Sequence, residues 1–144
     1  MKSSNYFNKI DSFHSDCRIW FSELNFWEDE LEFMRNLISK YSFSLIDRDK
    51  SLLLRELISE INGSLKNDIQ RLKNRIHFLE LNLAKTNNGR PNLDEAVIQK
   101  EIKSLQCDMS LLGLSFQNIK KDFNDLMKGV IKESEGEKLQ ELAA

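Results

Sequence analysis

Apolar residues recur along the first forty-one positions at Tyr6, Ile10, Phe13, Cys17, Trp20, Leu24, Trp27, Leu31, Met34, Ile38 and Tyr41, alternately four and three residues apart. That spacing averages about 3.5 residues per turn, so these side chains form one seam along a helix able to supercoil against neighbours. At 1.5 Å per residue the seam is about 50 Å long. A later segment repeats the pattern at Ile98, Ile102, Leu105, Met109, Leu112, Phe116, Ile119, Phe123, Leu126 and Val130, with Asn92 and Asp94 offering caps upstream. Between them, Leu54, Ile58, Ile61 and Leu65 are followed by Ile69, Leu72, Ile76, Leu79 and Leu83.

Two four-residue steps adjoin at Leu65 in that middle segment. This is a stutter, a local unwinding of the supercoil, and it lies beside Gly63-Ser64, where helix propensity is lowest. It reads as a slightly bent continuous helix, the alternative being a break near Gly63 that gives four helices. Ser42 to Asp47 and Lys85 to Pro91 form the connections, the second carrying glycine and proline as stop signals. Short loops between helices of matched length force antiparallel neighbours.

The expectation is therefore all-α: an elongated antiparallel three-helix bundle of coiled-coil type. It forms a single domain over 1–133, with helices at about 4–41, 48–85 and 92–133 and a frayed tail at 134–144. With the helix ends level, Trp27, Gly63 and Gly113 fall at one height, and the two glycines are expected to accommodate the indole.

Once the seam of the first helix is assigned to heptad positions a and d, Ile19, Phe26 and Phe33 fall seven apart at c. That position points about 130° from the centre of the seam, away from a three-helix core. Leu37 at g, with Phe7 and Phe21 at e, widens the apolar arc. A contiguous exposed aromatic surface marks an interaction site more often than it decorates a monomer. The interaction face is read as Ile19, Phe26, Phe33, Leu37 and Phe21, and the partner as a second copy of the chain, in a homodimer; the alternative is a splayed bundle or a tail folded back over these residues.

Charge narrows the partner class. With 21 Lys and Arg against 23 Asp and Glu, the chain has a formal net charge of −2, and no basic surplus argues for nucleic acid. Glu23, Glu28, Asp29, Glu30 and Glu32 flank the aromatic stripe, an acidic rim that repels anionic lipid. Lys66, Arg71, Lys73, Arg75, Lys85 and Arg90 form a basic stretch, read as solvated faces with helix-pair salt bridges or as complementary docking between subunits. No apolar run suits a signal peptide or a bilayer span, so a cytoplasmic location is expected. Two scattered cysteines are expected to be free thiols.

Site chemistry is sparse. His14 and His77 fall at similar heights near Asp11, Cys17 and Glu80 and are the only metal candidates, but no pair has the spacing of a dedicated site. Glu-x-x-His, phosphate-binding, nucleophile-elbow and His-Glu-x-x-His motifs are all missing. The chain is read as a non-enzymatic interaction or scaffolding bundle without a cofactor. The alternative is a bundle binding a ligand or metal between its helices.

The run Trp20-x-x-Glu23-Leu24-x-Phe26-x-x-Asp29-Glu30-Leu31 resembles a stretch of short, uncharacterised all-helical proteins of Bacteroidetes-type bacteria. The resemblance covers the first helix alone; it implies a bacterial cytosolic protein and brings no known activity or site residue.

Overall fold

The computed structural model describes residues 2–41, 48–87 and 95–143, and every one of them is helical. Helix α1 spans Lys2–Tyr41, α2 Arg48–Glu60, α3 Lys66–Asn87 and α4 Glu95–Ala143, with a π-helical turn at Ile61–Leu65 joining α2 to α3. The result is an all-α bundle. Both expected connections lie largely outside the described residues, as do Asn92 and Asp94. Lys85 to Asn87, expected in the second connection, belong to α3.

The chain divides into two compact units, and each draws on all three helical segments. One comprises Met1–Trp27 with Asp68–Gly113, the other Glu28–Asn67 with Leu114–Ala144. In the first unit, Lys9 Nζ lies 3.6 Å from Glu95 Oε1, and the Trp27 ring lies beside Gly113. Residues advance together along α1 and α4, so these helices run parallel there. Helix α3 runs the other way: Glu80 acts on Cys17 of α1, while Lys73 sits over the ring of Phe21. Arg75 of α3 ties it to α4, with Nε donating to Glu101 Oε1 at 3.1 Å, Nη2 to Ser104 Oγ at 3.0 Å, and Nη1 to Asp108 Oδ2. Burial alone would disfavour the guanidinium charge, but the hydrogen bonds to Asp108 and Glu101 outweigh it and raise the Arg75 pKa.

The core is the heptad seam with local exchanges. Ile10, Cys17, Trp20, Leu24, Leu31, Met34 and Ile38 are buried on α1, whereas Phe13 and Trp27 are half-buried. On the middle segment Leu57 is buried in place of Ile58, and on α4 Met127 replaces Leu126. The buried set therefore reads Leu57, Ile61, Leu65, Ile69, three four-residue steps in succession. A helix of 3.6 residues per turn would rotate such a set off the core, and a π turn, which takes an extra residue per turn, holds it in place. Glu60 and Lys66 on either side of the turn have ordinary right-handed helical dihedrals. The middle segment thus runs on as the continuous helix expected, with a π turn at the stutter.

The expected frayed tail is helical through Ala143. Glu, Lys, Leu, Gln and Ala are strong helix formers, and one glycine, Gly136, costs only about 1 kcal/mol. The glycine expectation divides. A Cβ built on Gly113 would stand 3.4 Å from Cη2 and 3.5 Å from Cζ2 of Trp27, whereas one on Gly63 would meet nothing within 4 Å. Gly63 does not accommodate the indole; it lies in the π turn, where its carbonyl accepts the Lys66 backbone N–H.

Candidate functional site

Helix α1 is buried along one side and apolar on another. Ile19 and Phe26 in the first unit are 56% and 55% exposed, and Phe33, on the same helix in the second, is 59% exposed. Leu37 is half-buried. Phe21 stands apart from these residues. Two residues from Ile19, it points about 160° away by helical rotation, towards α3. There it lines a groove with Arg18, Asn25, Ile76, His77 and Glu80, and Lys73 Nζ lies 5.5 Å from its ring centroid. Such cation–π contacts contribute about 0.5–1 kcal/mol at exposed sites.

The acidic rim is partly engaged within the chain. Glu30 approaches Lys120 at 3.7 Å, and Glu32 approaches Arg35 at 3.9 Å. The basic stretch is also partly engaged. Arg75 is held by Glu101 and Asp108, Arg71 pairs with Asp68 at 3.0 Å, and Lys73 caps Phe21.

The sequence reading missed several exposed apolar residues, among them Phe78 and Leu114, each 64% exposed, and Leu81, Val97 and Leu111. The signal was present: the heptad frame that assigns Phe26 to position c puts Phe78, Val97 and Leu111 there too.

His14 is half-buried and His77 exposed, and among the described residues no group of three or more His, Cys, Asp or Glu side chains could hold a metal ion. Also among them, no buried side-chain nitrogen or oxygen lacks a hydrogen-bond partner. Buried Asn82, for example, donates from Nδ2 to the Phe78 carbonyl at 2.9 Å. Cys17 is buried in the seam as a free thiol. Burial first, then the negative charges of Glu80 and Asp16, push its pKa up to about 12, so it is a packed, protonated thiol rather than a nucleophile.

The second unit contains a groove of about 540 Å³ between α2 and α4. Leu53, Leu57 and Leu126 supply its apolar surface, and Glu56, Glu60, Asp122 and Asp125 surround it. The exchanges of Leu57 for Ile58 and Met127 for Leu126 shape it, because each leaves a leucine at the groove. None of the four carboxylates has an ion pair among the described residues.

No helix among the described residues is long and apolar enough to cross a membrane. No protein-family model, curated protein or solved structure matches this chain.

Proposed function

We propose that this chain is a non-enzymatic interaction or scaffolding protein that self-associates through the outer face of α1, in a coiled-coil manner. The observation that carries this reading is the exposure of Ile19, Phe26 and Phe33, all more than half accessible, on a helix whose seam is already buried within the chain. Burying apolar surface contributes about 25 cal/mol per Å², and one phenylalanine presents enough area to act as an interface anchor. Knobs-into-holes packing would suit such a face, with side chains that recur every seven residues. A bacterial cytosolic setting, which the resemblance of α1 implies, belongs to the same proposal.

Multi-angle light scattering of the purified chain and of a Phe26→Glu, Phe33→Glu variant tests it. A concentration-dependent rise in mass for the unaltered chain, reduced in the variant while circular dichroism stays helical, is the expected result. Equal masses for the two would sink the assignment of this face.

A further inference from the structure

We propose that the acid-rimmed groove between α2 and α4 receives the outer ridge of α3 from a second copy of this chain. The inference takes its partner from the self-association reading but uses different surfaces.

Three observations converge on the groove. Glu56 and Glu60 are four residues apart on α2, and Asp122 and Asp125 three apart on α4, spacings at which like charges on one helix repel. Nothing among the described residues neutralises them. They surround leucine surface, so the occupant that satisfies the site is both apolar and cationic. A chain that places four unpaired carboxylates around an open apolar surface breaks a local rule of stability, which is where a docking site is expected.

The outer face of α3 has the matching chemistry. Arg71, Phe78 and Lys85 follow one another at seven-residue intervals and so lie along one line of the helix, with exposed Leu81 beside Phe78. Phe78 is the most exposed aromatic side chain among the described residues at 64%. Lys85 has no ion pair among them, and the Arg71–Asp68 pair is a surface contact that costs little to exchange. Seating Phe78 and Leu81 on the groove leucines brings the flanking cations to the carboxylates, where charge complementarity sets register and suppresses other pairings. Each copy carries one ridge and one groove, so the contact is head-to-tail.

Sedimentation velocity on full-length chains carrying Phe26→Glu and Phe33→Glu isolates this contact from the α1 face. In that background, association is expected to remain and to weaken as salt rises from about 0.05 to 0.5 M. Adding Glu56→Lys and Glu60→Lys, or instead Arg71→Glu and Lys85→Glu, should weaken it about tenfold or more. Mixing the two charge-reversed proteins should restore it, an outcome that unfolding cannot mimic. A monomeric background, charge-reversed variants that associate unchanged, or a mixture that stays monomeric would each overturn the proposal. If the α1 substitutions alone leave the mass unaltered and the mixing result holds, the α1 face fails and the groove stands.

Discussion

At the residue scale, the Trp27–Gly113 contact defines what the glycine does. A methyl group at Gly113 would sit at ordinary van der Waals distance from the indole, and helical alanine is favoured over glycine by about 1 kcal/mol. Gly113→Ala should therefore raise stability by about 0.5–1 kcal/mol in urea denaturation, whereas Gly113→Leu, whose branch has to enter the indole's space, should lower it by about 1–3 kcal/mol. The two cysteines should separate just as cleanly. Cys107 is exposed and should react with a disulfide reagent at once, while Cys17 should react only after unfolding. Because the folded state raises the Cys17 pKa from its ordinary value of 9.0 to about 12, its contribution to stability is complete below pH 9 and is lost as pH rises towards 12. Cys17→Ala should flatten that alkaline limb in thermal melts recorded from pH 8 to 11.

At the scale of elements, the π turn is where the heptad account and the structure part. The seam of α1 was legible because its four-three alternation never falters, and the α4 seam was legible as far as Phe123 for the same reason. Leu57 and Ile58 are adjacent and equally apolar, so periodicity alone could not tell which one the core takes. The choice depends on how Ile61–Leu65 absorbs an extra residue, which is a property of packing against other helices rather than of the segment itself. Leu57→Ala should cost about 2–4 kcal/mol as a buried-leucine deletion, and Ile58→Ala markedly less; the reverse order would place the core seam where the sequence pattern drew it. The α2–α4 groove follows from the same displacement. It was invisible in the sequence because its four acids looked like ordinary solvated positions until their leucine neighbours were placed.

For the whole molecule, the division into two units changes how the exposed face of α1 is understood. Ile19 and Phe26 belong to one unit and Phe33 to the other, so a single helix contributes apolar surface to both. The stripe was legible from the heptad frame, whereas the separation of Phe21 from it depends on its contact with Lys73. Internal packing engages part of the polar complement: Arg75 on Glu101 and Asp108, Lys9 on Glu95, Lys120 on Glu30. Among the exposed polar positions, aromatic and aliphatic surface also remains outward, and self-association would bury it. Sedimentation equilibrium of the unaltered chain, from about 1 μM to 1 mM, bears on that claim most directly, since a micromolar dissociation constant corresponds to about −8 kcal/mol. A weight-average mass rising from 16.9 kDa to at least twice that value is the predicted result. A mass fixed at 16.9 kDa across the whole range would contradict it.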